Sequence, residues 1–271
     1  MDIVKLFKEK ELNVLKTLWF NFRYLPFSQA LKLPIYLYGK FSIPNCRKGR
    51  INLKPTFISQ GMIMLGCYKS QDLYGHKTTH TTILNIQGQW VLKGAFMLSN
   101  GSVLAIGPLG LLETGHDVAI GPCSRLYCTN SIILGKRIRA SWDVQIFDTN
   151  FHYTIKDGRI SKNKACVKVG NYCWIANRVS LMPKTNLPDH SVVASNSMVN
   201  KDFSEISPKS LFAGSPAKHI LTGIQRIFAD GATDALFDDL FSKSDKQSFD
   251  ANDDSVIPIL QKTLNYKDGE S

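Results

Sequence analysis

Residues 169–201 read VGNYCWIANRVSLMPKTNLPDHSVVASNSMVNK. Taken in sixes, this run puts Val169, Ile175, Leu181, Leu187, Val193 and Val199 at one position, an apolar residue every sixth place without a slip. Gly170, Ala176, Met182, Pro188, Ala194 and Asn200 follow them. The fifth place of each block holds Cys173, Val179, Thr185, Ser191 and Ser197, all small or β-branched, as a tightly wound turn requires. A hexapeptide repeat of this kind is the signature of a parallel β-helix. Short strands form triangular coils, and each coil buries its apolar row against the coils on either side.

The same period extends towards the amino terminus. Ile86, Leu92, Leu98 and Leu104 keep the spacing of six, and further blocks run through Thr114-Gly115, Ile120-Gly121 and Leu126, then Leu134-Gly135, Ala140 and Ile146. The longer step from Leu126 to Leu134 suggests two residues bulging at a corner. Glycine after the apolar residue suits a corner with positive φ or close backbone approach. Between Ile146 and Val169 the repeat stops, and the interruption carries Asp148, Asn150, His152 and the polar run Lys156-Asp157-Gly158-Arg159. A long insertion in a regular solenoid marks the binding face, so this loop holds the candidate site.

Composition narrows the class. At 271 residues with 44% apolar and 20% charged residues, the chain can bury a core and is neither disordered nor membrane-spanning. No apolar run approaches the roughly 20 residues that cross a bilayer, and Lys8, Glu9, Lys10 and Glu11 break any signal-peptide core, so a cytoplasmic protein is expected. The six cysteines show no paired zinc-ligand spacing and read as small core residues. His76, His80 and His116 share no obvious corner, and no metal is expected.

The net charge of +11 is uneven. Residues 1–54 hold eleven Lys or Arg against three acids, whereas residues 230–271 hold four Lys against ten acids. The basic end lacks any nucleic-acid-binding motif, which leaves a membrane surface or an anionic small molecule as its partner. Residues 2–20 fit one amphipathic helix, packed on the domain or lying on a membrane. A helix from about Ile220 to Phe228 and an acidic helical tail are expected to follow the last coil and cap it. The organisation is thus a helical and extended segment at 1–50, a β-helix at 51–219 with the loop at 147–168, and a helical acidic tail at 220–271.

Hexads, Asp148-x-x-x-His152, Cys173-Trp174-Ile175-Ala176, Ala194-Ser195-Asn196-Ser197 and Ala213-Gly214-Ser215-Pro216-Ala217-Lys218 together resemble the hexapeptide-repeat acyltransferases. Among these the chain looks most like the O-acetyltransferases that decorate sugars in polysaccharide biosynthesis. The resemblance covers roughly residues 50–220. It implies a mainly β fold built on a left-handed parallel β-helix, a homotrimer, and acetyl-CoA bound in clefts between neighbouring subunits. It also implies His152 as general base, with Asp148 either orienting the imidazole or capping a turn, and Asn150 lining the acceptor site or serving a turn. Trp174, Ala176, Ser195 and Asn196 resemble residues along the cofactor channel, with Ala176 where the family often has glycine. Lys201 and Lys218 resemble basic residues near the phosphates. N-acyl transfer to an amino sugar and a non-catalytic binding scaffold are the alternatives. The sugar acceptor, its hydroxyl and the length of the acyl group are not specified by the sequence.

Overall fold

The structure is a computed structural model that describes residues 11–54, 57–67, 80–228, 232–253 and 255–259. The hexads close as their spacing demands. Val169 pairs with Leu134 on the coil before and Leu187 on the coil after, Ile175 with Ala140 and Val193, and Leu181 with Ile146 and Val199. Three hexads therefore make one coil, and successive apolar positions face inward on the three sides of the prism in turn, where all six are essentially inaccessible. Burying such side chains stabilises the fold by about 1.5–3 kcal/mol each.

Three parallel sheets form the sides of this β-helix. The first face runs from Ile35–Leu37 through Phe96–Ser99, Val118–Ile120, Arg139–Ala140, Trp174–Ile175 and Val192–Val193 to Ser210–Gly214. The second begins at Phe41–Ser42 and includes Arg125–Cys128, Gln145–Phe147, Ser180–Leu181 and Met198–Val199. The third begins at Ile51–Leu53 and includes Ser131–Leu134, Val167–Val169 and Asn186–Leu187. The coil thus starts at Ile35, inside the stretch read from sequence as a lead-in.

Small residues at the fifth hexad place close the corners. The Thr185 hydroxyl lies 2.7 Å from the Met182 carbonyl and 2.8 Å from the Val199 carbonyl and shares its one proton between them, and Ser191 donates to Pro188 (2.6 Å). These bonds satisfy buried carbonyls that a larger side chain would displace. Cys173 occupies the same place, and burial pushes its thiol up to about 12.

One open alternative is resolved and two expectations are corrected. The glycines after the apolar residues serve close approach only: a Cβ on Gly115, Gly121 or Gly135 would meet the next coil's backbone at 2.6–2.7 Å. The positive φ falls two places later, on Asp117, Cys123 and Arg137. The step from Leu126 to Leu134 is not a bulge, because Arg125–Cys128 and Ser131–Leu134 are longer strands that pair without a register shift with equally long strands of the preceding coil. Each then points two residues inward, Leu126 with Cys128 and Ile132 with Leu134. The helix expected at Ile220–Phe228 is instead a strand, Ala217–Thr222, running antiparallel to Ser210–Gly214. The last strand of the first face leaves open backbone donors and acceptors, and the returning chain satisfies them.

At the other end, helix α1 spans Val14–Tyr24, with the Asn13 side chain accepting from the Lys16 amide (3.0 Å) as its N-cap. The single helix expected over 2–20 is interrupted at 11–13, and its residues 2–10 lie outside the described residues. Its buried Thr17 and Asn21 take the place of a missing coil. Thr17 Oγ1 accepts from the Leu37 amide (3.0 Å), and Asn21 both accepts from the Ile35 amide (3.2 Å) and donates to its carbonyl (2.6 Å). A short helix, α2 (Phe27–Ala30), follows.

The chain divides into two compact units, 1–225 and 226–271. The second contains helix α3 (Ala232–Asp239) and a small core of Leu240, Val256 and Ile259 with Leu236 and Phe249 against it.

Candidate active site at the break in the repeat

The loop leaves the second face after Phe147 and rejoins the third at Val167. Asp148 anchors its root. The buried carboxylate accepts from the Thr129 amide (2.8 and 2.9 Å), the Thr129 hydroxyl (3.1 Å) and the Asn130 amide (2.6 Å), all on the preceding coil. Of the two roles open to Asp148, the geometry shows the turn-capping one, and among the described residues no hydrogen bond joins it to His152. Its neighbour Cys128 has its thiol pushed up, first by burial and then by the Asp148 charge.

Above this anchor the two strands of the loop are zipped. The Ala165 amide donates to the Asp148 carbonyl (3.1 Å), Thr149 bridges Lys164, and the Asn150 amide donates to the Asn163 carbonyl (2.8 Å). Phe151 then turns the chain at φ 61°, its amide held by Thr149 Oγ1 (3.0 Å). Its ring packs edge-on against Tyr127 and Phe147, both at 5.8 Å between centroids. A left-handed φ on an aromatic residue costs about 1–2 kcal/mol, and the anchored loop and ring contacts hold it there. The consequence is that His152, next in the chain, projects its imidazole into solvent at the root of the loop. Beyond it, Ile155–Lys156 and Arg159–Ile160 form a small antiparallel hairpin around Asp157-Gly158.

An open cleft of about 660 Å³ lies on the corner between the second and third faces, the corner from which the loop emerges. Ala165 and Cys166 of the loop's return line it, with Lys168, Lys184, Thr185, Asn186, Asn200, Lys201 and Asp202 from three successive coils. Three ammonium groups face one carboxylate. Hydrogen bonds from Ser204 hold the Asp202 carboxyl below the usual carboxylate range, so it remains ionised. The net excess of positive charge suits an anionic ligand.

The remaining predicted residues fall elsewhere on the chain. Trp174, about one-third exposed, stands on the first face between Arg139 and Val192, and Ala176 is buried at the end of that strand. Ser195 and Asn196 form the next corner of the same column, where Ser195 Oγ donates to Asn177 Oδ1 (2.6 Å) and Asn196 has φ 60°. Lys218 lies exposed on the returning strand, opposite Ala213. Within one chain, then, His152, Asp148, Asn150 and Lys201 share a corner, while Trp174, Ala176, Ser195 and Asn196 share another, with the second face between them.

Lys168 and Lys184 escaped the sequence reading. The signal is present at a different period: Lys168 pairs with Asn186, Asn186 bridges Asp202, and the Lys184 amide donates to the Cys166 carbonyl (3.2 Å). Reading whole coils instead of hexads would have aligned Lys168 with Asn186 and Lys184 with Cys166, in two neighbouring columns of this corner. Of the histidines weighed as metal ligands, His116 accepts from the Ala95 amide (3.3 Å), and His76 lies outside the described residues. Among the described residues no group of three potential metal ligands converges.

No family model and no curated protein matches the chain. Solved structures similar to it include the polySia-specific acetyltransferase NeuO, at 15% identity over 76% of this chain and 94% of that one, with a TM-score of 0.48. The polysialic acid O-acetyltransferase OatWY is similar at 18% identity over 70% and 90%, with a TM-score of 0.44. A maltose O-acetyltransferase from Clostridium difficile 630 is similar at 17% identity over 82% and 89%, with a TM-score of 0.33.

Proposed function

We propose that this chain is an acyltransferase that moves an acetyl group from acetyl-CoA to a sugar hydroxyl, with His152 as general base. The observation that carries the reading is the pairing of an exposed histidine, held on an anchored turn, with a lysine-lined cleft on the same corner. A sugar hydroxyl is a poor nucleophile at neutral pH, so a base must take its proton as the oxygen attacks the thioester carbonyl. A neutral imidazole nitrogen can accept that proton and later return it, which suits a histidine to this role. The tetrahedral intermediate then expels the thiolate of CoA, a good leaving group, which takes the proton from the imidazolium. No covalent enzyme intermediate is needed. Asp148 acts on this chemistry through the backbone, by fixing the root of the turn that presents His152. Asn150, exposed two residues before the base, lines the acceptor side.

Lys168, Lys184 and Lys201 supply the charge that meets the phosphates of CoA, with Lys218 as a further basic contact. Trp174, Ala176, Ser195 and Asn196 lie on another corner and contribute to the site of a neighbouring copy, so a complete site requires an oligomer, which the family resemblance makes a homotrimer. The coil with its loop at 147–168 carries the activity, and the terminal segments are accessory to it. The protein works in the cytoplasm on an intermediate of surface-glycan assembly.

The test is thiol release from acetyl-CoA in the presence of nucleotide sugars and lipid-linked sugars, with the product analysed for O- or N-acetylation. His152→Ala should lower the rate by about 10²–10⁴-fold while leaving oligomer mass and melting temperature unchanged. Full rate in that variant removes the base assignment. Absence of CoA binding by calorimetry in the native protein makes the coil a non-catalytic binding module.

A further inference from the structure

Helix α1 presents two distinct faces, of which the solvent-facing one is apolar. One is buried, through Thr17, Phe20, Asn21 and Tyr24, against the first strand of the coil. The other is formed by Leu15, Trp19 and Phe22, spaced by four and three residues and therefore aligned in one stripe. All three are exposed, Leu15 by 81%. The stripe continues past the end of the helix, because the Phe22 and Phe27 rings lie 6.0 Å apart and Phe27 is 69% exposed. Leu31, one turn after Phe27, is exposed as well. The solvent side of a surface helix normally carries charged and polar residues, so a continuous apolar stripe there points to a partner.

The surroundings of the stripe indicate which partner. Arg23 and Lys32 are interleaved with Trp19, Phe22, Phe27 and Leu31 along the chain, and the Lys32 ammonium sits 6.0 Å from the ring of Phe57, itself exposed. Residues 1–54 together carry eleven Lys or Arg against three acids. A stripe of Trp, Phe and Leu bordered by Lys and Arg matches the boundary of an anionic bilayer, where aromatic rings sit at headgroup depth and basic side chains meet lipid phosphates. Docking a second copy through the same face would bring two strongly basic surfaces together, which like charges oppose. Spanning is excluded for α1 by length, since its 11 residues fall well short of the roughly 20 needed. Among the described residues no helix is long and apolar enough to cross a membrane.

We propose that Leu15, Trp19, Phe22, Phe27 and Leu31 form a docking face by which this protein lies on an anionic lipid surface. The inference stands apart from the acyl-transfer reading, since none of its residues belongs to the cleft or the loop. If both hold, the active coil works at the surface where lipid-anchored acceptors are presented.

The experiment is flotation of the full chain with vesicles of phosphatidylcholine alone and of phosphatidylcholine mixed with phosphatidylglycerol. The native protein should float with the anionic vesicles and not with the neutral ones, and raised salt should release it. Leu15→Ser/Trp19→Ser/Phe22→Ser should reduce anionic-vesicle partitioning on the order of tenfold or more at an unchanged melting temperature. Should that variant melt early, Phe27→Ser/Leu31→Ser and the charge reversal Arg23→Glu/Lys32→Glu probe the same face away from the buried side of α1, with the same loss expected. Failure of the native protein to bind anionic vesicles overturns the proposal, as does equal binding to neutral ones. Self-association that disappears in the stripe variants, without vesicle binding, assigns the face to a second copy instead.

Discussion

The run 169–201 and the loop 148–166 adjoin in sequence and are held by opposite means. In the run, every inward residue stacks on an equivalent residue of the coils before and after, so stability is distributed over many equal contacts. In the loop, residues 150–162 are exposed throughout, and order at its root comes from one carboxylate and a short antiparallel zip. Apolar stacking can hold a wall in place, but its cost is that the wall presents little chemistry. A polar anchor holds less and leaves the adjacent side chains free to react.

Breaking the wall should have the largest effect. Leu181→Ala removes a side chain packed between Ile146 and Val199 and should cost about 2–5 kcal/mol, read as a lowered urea midpoint, with the loop affected only secondarily. An unchanged midpoint would mean that the stacked row is not what holds the coils.

Asp148→Asn tests the anchor. It keeps the volume but turns an amide donor towards the Thr129 or Asn130 N–H, which should cost about 1–3 kcal/mol. Trypsin should then cut faster at Lys156, Arg159, Lys162 or Lys164, and under the proposed chemistry thiol release from acetyl-CoA should fall although His152 is intact. Native-like proteolysis in this variant would refute the anchoring role.

The mildest comparison uses two glycines. A methyl at Gly170 would meet the backbone of Pro188 and Asp189 at 2.6–2.7 Å, so Gly170→Ala must push two coils apart, at about 1–3 kcal/mol. Gly158, at the tip of the hairpin, has open space around it and only a positive φ of 71°, so Gly158→Ala should cost about 1 kcal/mol. Equal midpoints for the two variants would show that wall and loop are not held differently.

The legible part of this molecule was the part under periodic constraint. Residues 169–201 disclosed one inward residue per face, the small fifth-place residues disclosed the corners, and the interruption disclosed where a loop leaves the coil. Other features followed no local rule. The left-handed backbone of Asp117, Cys123 and Arg137 sits on residue types that seldom announce it, and Asp148 finds its partners on the preceding coil, at Thr129 and Asn130. The strand at Ala217–Thr222 forms because an open sheet edge lies beside it, which no window of sequence contains.

By itself, then, the sequence determined the repeat, the inward row and the place where the repeat breaks, because each depends on neighbours within a few residues. Only the tertiary structure decided that Lys168, Lys184 and Lys201 share a cleft while Trp174, Ala176, Ser195 and Asn196 occupy a different corner. Alignment between coils depends on the summed length of every strand and corner in each turn. That sum is a property of the whole winding, not of any hexad within it.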